Sequence, residues 1–368
     1  MPRLNRPEAT IPSHWYFDAH HYRRELAAIW YRDWVCIGHV GSLDRTGAYL
    51  TADIGSQSVV VTQTENGLRA FHNTCRHRGS QLCSTSAGRF RNGRIICPYH
   101  TWTYSLEGDL LATPGRVESG AFDHADYSLY SVHVEMWRGF IFVNLADTPA
   151  TPLPEHIGRD AELVQNWPLE TLQPVHQEIK TVHCNWKIYW ENYSECYHCP
   201  RSHPALCKIV PLYSKATFEA DDVPGWTAKD DGDAETWSVD GQSTLPAFES
   251  LSEQDLKRTD TFVSVVGSMY LVAHRDYVRT VRLYPRGPER VQLLIDWYVS
   301  AEHADIPLEA LQPIIELPRQ VVEEDSALCE LNQKGLHSIR HEHGTLVAQE
   351  IELHDFHQWL RARLNITA

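Results

Sequence analysis

Apolar residues change their spacing twice along the chain. Over residues 15–35 (WYFDAHHYRRELAAIWYRDWV), Leu26, Ile29, Trp30 and Trp34 recur at helical intervals, which predicts a helical N-terminal segment. From about Cys36 to Leu145 the period shortens. Val59–Thr62, Leu68–His72, Ile95–Cys97, Trp102–Ser105 and Gly139–Val143 read as short strands, parted by turns at Glu65-Asn66-Gly67, Arg91-Asn92-Gly93 and Glu107-Gly108-Asp109. Thr148–Pro154 (TPATPLP) is proline-rich and marks a linker. Beyond it a helix is expected over 185–199. Three strands follow at Phe262–Ala273, Tyr277–Tyr284 and Arg290–Ser300, with a turn at Pro285-Arg286-Gly287-Pro288, and then helices at about 307–335 and 348–364. The expected fold class is α+β. A helical segment, residues 1–37, packs on the last domain; residues 38–147 form an all-β domain. Residues 148–368 form an α+β domain whose antiparallel sheet is covered by helices in the helix-grip manner. Residues 215–260 are acidic and lack a period, so they are expected as a long irregular insertion, either a lid or a pocket wall.

Charge and composition narrow the class. Lys and Arg total 33 against 48 Asp and Glu, a formal charge of −15. Such a chain repels phosphate backbones, so no nucleic-acid partner is expected. The longest apolar stretch, Trp137–Ala146, contains Arg138 and falls far short of the ~20 residues that span a bilayer, so no membrane partner is expected either. The opening MPRLNRPEATIPSHW has no signal-peptide core, which predicts a cytoplasmic protein. There the nine cysteines should be thiols or metal ligands rather than disulfides.

Two segments each pair a cysteine with a histidine: Cys75-Arg76-His77-Arg78-Gly79 and Cys97-Pro98-Tyr99-His100. Four such ligands suit structural zinc or an iron–sulfur cluster. Zinc ligand pairs usually space two cysteines, whereas a Rieske centre takes two Cys on one iron and two His on the other. The stretches CRHRGSQLC and CPYHTWTYSLEGDL closely resemble the Rieske [2Fe–2S] motif of ring-hydroxylating-type oxygenases. The resemblance implies that Cys75, His77, Cys97 and His100 hold the cluster, with Arg78, Tyr99 and Trp102 around it. Thr101 stands where that family usually has glycine, which should tighten the loop. Cys83 nearby reads as a small buried thiol.

The segment NWKIYWENYSECYHCPRSHP carries the second constellation. Glu195 and His198, three apart, would share a helix face. Pro200 and Pro204 argue against helix continuation, so the chain can turn and bring His203 beside His198. Two histidines and one distant carboxylate meet the need of a non-haem Fe(II) site. The helix QVVEEDSALCELNQKGLHS offers the carboxylate, with Val321, Val322, Leu328 and Leu331 on its apolar side. By resemblance to the same oxygenases the ligand is Asp325, with Glu324 as the alternative.

Chains resembling this one are Rieske non-haem iron oxygenase α subunits, and the likeness runs over roughly residues 25–345. It implies a homotrimer, or a multiple of one, in which Glu195 bridges its own His198 to His100 of a neighbouring subunit. It also implies a separate flavin and iron–sulfur reductase that passes electrons from NAD(P)H, and O2 as co-substrate. No dinucleotide fingerprint occurs in this chain, which agrees with a separate reductase. The motifs look most like the branch acting on quaternary ammonium compounds, such as betaine demethylases, carnitine oxygenase and choline monooxygenase. That implies N-demethylation or C-hydroxylation of a small methylated amine; the alternative is mono- or dioxygenation of an aromatic or other apolar carbon. A quaternary cation needs aromatic faces, and Trp226, Trp237, Phe262, Tyr270, Tyr277 and Trp297 are candidates, although aromatics on strands are more often core.

Overall fold

The computed structural model describes residues 3–117, 120–227 and 229–366. The extreme ends of the expected first and last domains, and residue 228 of the insertion, lie outside these. The chain divides into two compact units: Trp30–Gly158 with Leu169–Gln173, and Met1–Ile29 with Arg159–Pro168 and Pro174–Ala368. The boundary expected after residue 37 therefore falls after Ile29, because Val35–His39 is a strand that pairs with Phe140–Asn144 inside the β unit. The boundary expected after residue 147 falls later, at Gly158.

In the β unit seven antiparallel strands run in the order Val35–His39, Phe140–Asn144, Ser131–Trp137, Gly67–His72, Gln57–Thr64, Ala48–Ile54 and Ala87–Arg89. A second sheet holds Arg94–Ile96, Thr103–Ser105 and Leu110–Ala112. Period-two alternation sends Val60 and Phe71 from the first sheet, and Ile95, Tyr104 and Leu110 from the second, into one core that also takes in Cys75, Cys97 and Trp102. Gly108 has φ +95°, and a Cβ there would stand 2.5 Å from the Phe71 ring, so this turn closes only on glycine.

The second unit is built on a five-stranded sheet in the order Gln173–Val182, Arg290–Val299, Val278–Gly287, Met269–Ala273 and Thr261–Val265, the last four strands antiparallel. The single strand expected over 262–273 is a hairpin instead, since Gly267 at φ +82° turns the chain and pairs Val265 with Met269. Register places Phe262, Ser264, Tyr270, Val272, Arg279, Val281 and Trp297 on one face. The 29-residue helix Leu308–Leu336 meets that face at Trp297, whose Nε1 donates to the Ile314 carbonyl at 3.0 Å. Pro318, four residues on, has no N–H to offer that carbonyl, so the indole supplies the missing bond and the helix runs through its proline. The helix buries Val322, Ser326, Cys329 and Gln333, whereas Leu331, expected on the apolar side, is 64% exposed. Two polar residues share the buried stripe because each is bonded: Ser326 Oγ donates to the Val322 carbonyl, and Gln333 Oε1 accepts from the Asn185 amide. Among the described residues no helix is long and apolar enough to cross a membrane.

The helix expected over 185–199 stops early. It spans Trp186–Tyr193, is capped by the Asn185 side chain, and gives way at Ser194 to a turn before the short helix Cys199–Ser202. Glu195 and His198 thus lie on a turn and not on one helix face. The turn also brings Cys196 and Cys199 to a Cα separation of 5.0 Å, where they form a disulfide, contrary to the expectation of thiols throughout; the other seven cysteines are free.

Lys187 on this helix is fully buried. Its ammonium donates to Glu25 (2.5 Å), Asn185 Oδ1 (2.8 Å) and the Trp15 carbonyl (3.0 Å), while Trp186 Nε1 donates to the other Glu25 oxygen at 2.8 Å. Burial drives the ammonium's pKa down against the pull of Glu25, and the carboxyl of Glu25, despite its burial, is held below its ordinary value by Lys187 and His21. The cluster ties the N-terminal segment to the helix that leads into the histidine turn. Lys187→Ala should cost about 3–5 kcal/mol by stranding a buried carboxylate, and Lys187→Met combined with Glu25→Gln should recover much of that loss. Denaturant unfolding measures both; a cost below about 1 kcal/mol for the alanine variant would contradict the anchoring role.

Candidate active site

Two ligand sets were expected, and each comes together inside one unit. In the β unit Cys75 and Cys97 are buried at 3% and 1% exposure, close enough to interact, while His77 is exposed and His100 partly so. Each loop closes on the same turn, with the Gly79 amide bonded to the Cys75 carbonyl and the Thr101 amide to the Cys97 carbonyl, both at 3.0 Å. Both closing residues have positive φ, +74° at Gly79 and +58° at Thr101. The threonine therefore adopts the backbone its glycine counterpart would, and anchors itself through Oγ1 on the His100 carbonyl at 2.7 Å. Trp102 stacks on His77 with centroids 4.8 Å apart, Tyr99 leans on His100 at 3.7 Å, and the Arg78 guanidinium sits 5.4 Å from the Tyr99 centroid. Arg78, Tyr99 and Trp102, the residues expected around a cluster, thus gather beside His77 and His100. Burial pushes the Cys75 thiol up, partly offset by a contact at 3.2 Å to the Tyr104 hydroxyl. A thiolate there calls for a cation, and His100 Nδ1 is buried with no hydrogen-bond partner. The residues fit a cluster held by sulfur in the core and by imidazole at the surface of the unit.

In the α+β unit His198 Nε2, His203 Nε2 and Asp325 Oδ1 converge at mutual distances of 3.2, 2.9 and 3.3 Å. Ligand atoms about 2.1 Å from one ion and at right angles to one another would stand about 3.0 Å apart, so the three atoms outline one face of an octahedral site with the opposite positions open. Each imidazole is oriented from behind. His198 Nδ1 donates to Glu195 Oε1 at 2.6 Å, and His203 Nδ1 donates to Glu324 Oε2 at 2.7 Å. Because a carboxylate only accepts, both rings carry a proton on Nδ1, and with a metal ion at the centre each would turn its Nε2 lone pair to it. Glu324, the alternative ligand, is therefore placed behind His203, and Asp325 is the carboxylate at the centre. Burial alone would raise the Asp325 carboxyl, but His198 and His203 hold it below its ordinary value. His198, lowered by burial, is brought to about 9 by Asp325 and Glu195. The centre favours positive charge. Cys199 also lies within 4.8 Å of the two histidines, but its sulfur is in the disulfide and is no thiolate donor.

A cavity of about 1000 Å³ opens beside His198, His203 and Asp325. Of the six aromatics proposed from sequence, Trp237, Phe262 and Tyr270 line it. Trp297 is tied to the long helix, Tyr277 donates its hydroxyl to the Trp237 carbonyl at 2.8 Å, and Trp226 is bonded to Asp231; none of these three lines the cavity. Sequence reasoning missed Asn192, Tyr193, Tyr213, Phe218, Asp260 and Arg279, all in the lining. Asn192 Nδ2 is 3.3 Å from His198 Nε2, and Tyr193 stacks on Tyr270 at 3.8 Å while its hydroxyl meets Ser264 at 2.8 Å. The insertion 215–260 does wall the pocket, through Phe218, Trp237 and Asp260 among others.

The catalytic-domain family of ring hydroxylating alpha subunits matches residues 161–366, more than half the chain, and the Rieske [2Fe-2S] domain family matches residues 33–129. The chain belongs to the Rieske ring-hydroxylating oxygenase alpha subunits. It is an oxidoreductase whose cofactors are a [2Fe–2S] cluster and mononuclear iron, with O2 as co-substrate. Among its relatives, the oxygenase subunit of glycine betaine monooxygenase from Chromohalobacter salexigens is 27% identical, covering 98% of this chain and 86% of that protein. The chloroplastic choline monooxygenase of Beta vulgaris is 28% identical over 96% of this chain and 77% of its own. The crystal structure of the quaternary ammonium Rieske monooxygenase CntA with L-carnitine shares the fold, at TM-score 0.75 and 23% identity over 96% of this chain and 95% of that one.

Asp325→Ala should remove the mononuclear iron and leave the Rieske absorbance intact, so that iron content falls by one ion per chain. Glu324→Ala should retain that iron but weaken its binding about 10–100-fold. Metal analysis after dialysis against graded chelator distinguishes the two; complete iron loss in the Glu324 variant with retention in the Asp325 variant would reverse the assignment.

Proposed function

We propose that this chain is the terminal oxygenase of a multicomponent system that oxidises a small methylated ammonium compound. The observation carrying the reading is the cavity beside His198, His203 and Asp325. It is lined by aromatic rings, and its acidic side chains Asp160, Glu219, Asp231, Glu352 and Asp355 outnumber the cationic Lys257, Arg258 and Arg279. Such a lining draws in cations, and rings then offer an ion that donates no hydrogen bond its best contact.

The iron, when bound by His198, His203 and Asp325, supplies O2 activation beside the substrate. The protein's residues do the remainder. Glu195 and Glu324 fix the two imidazole tautomers, Asn192 offers a polar group next to His198, and the stacked Tyr193–Tyr270 pair and Phe262 exclude water from the reacting methyl group. Net insertion of one oxygen atom into an N-methyl C–H bond consumes two electrons and two protons and leaves water. The hydroxymethyl ammonium then breaks its C–N bond to give formaldehyde, a proton and the tertiary amine. Electrons come from NAD(P)H through a separate reductase. In a homotrimer Glu195 would join its own His198 to His100 of the next subunit. Its remaining lone pairs support that role, since each carboxylate oxygen accepts more than one hydrogen bond.

Glu195→Gln should keep all the iron yet slow single-turnover oxidation of the Rieske cluster about tenfold or more. Normal electron transfer in that variant would remove Glu195 from the path. For the reaction itself, the reduced holoenzyme given O2 should oxidise its cluster in response to methylated ammonium compounds and release formaldehyde stoichiometrically. A response to simple aromatics alone would overturn the substrate class.

A further inference from the structure

Arg279 is 3% exposed, yet it forms part of the cavity wall. Its cross-strand neighbours are Val272 and Trp297, neither of which offers a side-chain acceptor. Its Nε is buried with no hydrogen-bond partner, and among the described residues no carboxylate lies within ion-pair distance of it. The same strand holds a ready contrast. Arg282, three residues on and facing the other side of the sheet, is equally buried at 4% but is paired with Asp296 at 2.8 Å. Asp260, the carboxylate in the wall near Trp237, is already taken by Trp237 Nε1 at 2.7 Å and Thr259 Oγ1 at 3.0 Å. The guanidinium keeps company instead with the Trp237 ring, 5.6 Å from its centroid, and with the Tyr270 phenol. Trp237 thus has a cation over its face already, which takes it out of the set available to a substrate ammonium.

A buried guanidinium without a counter-ion is costly, and a plain cation entering the cavity would add like-charge repulsion in a region of low dielectric. We propose that the substrate itself supplies the missing counter-ion, a carboxylate group bound by Arg279. A guanidinium fork matches that anion's planar geometry. The proposal rests on the ammonium reading above and narrows it: the cavity takes methylated ammonium carboxylates, which are zwitterions, and rejects ammonium compounds lacking the anion. Arg279 then sets specificity by holding the end of the substrate that does not react.

The test is isothermal titration of the holoenzyme with four kinds of probe. These are trimethylammonioacetate and its two-carbon-longer homologue, their methyl esters, choline, and the tert-butyl carbon isosteres of the zwitterions. The expected result is binding of a zwitterion about 30-fold or more tighter than its ester, choline or the isostere. Esters or choline binding as tightly as the zwitterion would overturn the role of Arg279 and leave the ammonium reading intact. Isosteres binding as tightly as the zwitterion would uphold Arg279 and overturn the ammonium reading. No binding by any probe overturns both. Arg279→Gln, checked for native circular dichroism and cluster absorbance, should lose that preference, the zwitterion binding more weakly and the ester, freed of like-charge repulsion, more tightly; an unaltered preference would contradict the assignment even if the probe series agreed.

Discussion

Three side-chain atoms held about 3 Å apart, the two imidazoles each oriented by a carboxylate behind it, are the constraint on which the α+β unit depends. Imidazoles and a carboxylate do not gather this closely unless something fixes their tautomers and backbones. Glu195 and Glu324 fix the tautomers. The backbones are fixed by a helix that stops at Tyr193, a turn that reverses to present His198 and His203, and a long helix that carries Glu324 and Asp325 side by side. That pairing lets neighbouring residues take different parts, Asp325 reaching the centre and Glu324 the rear of a ring.

Much of the remaining structure holds these pieces in position. The buried Glu25–Lys187 pair ties the N-terminal segment to the helix before the turn, and the Trp297–Ile314 hydrogen bond seats the long helix on the sheet despite Pro318. The β unit solves its own problem differently. Cys75 and Cys97 are sunk in its core while His77 is exposed and His100 partly so, which would leave a cluster held there open to solvent on its imidazole side.

The residues that the structure gathers into each cluster were legible in the sequence because most of them are close together along the chain. Cys75 and His77, Cys97 and His100, and His198 and His203 each sit within one short segment, and the prolines after His198 announced a break. What the sequence concealed was tertiary. Nothing local separates Asp325 from Glu324, since the choice depends on which carboxylate points past the ring of His203. The helix end at Tyr193 was missed because the following residues remain compatible with helix until the turn is closed by Glu195 accepting from the Tyr197 and His198 amides. The strand 262–273 read as continuous because a single glycine among β-formers is a weak signal. Arg279 and Arg282 look alike in VRTVRLY, and only the pairing of Arg282 with Asp296 across the sheet shows that one is satisfied and the other waits for a partner.

The most direct test of the account is iron-edge anomalous diffraction from crystals of the iron-loaded protein. The predicted result is one peak within about 2.0–2.3 Å of His198 Nε2, His203 Nε2 and Asp325 Oδ1, with Glu195 and Glu324 outside the coordination sphere, and a pair of peaks bracketed by Cys75, Cys97, His77 and His100. A mononuclear peak coordinated by Glu324 in place of Asp325, or displaced from either histidine, would contradict it.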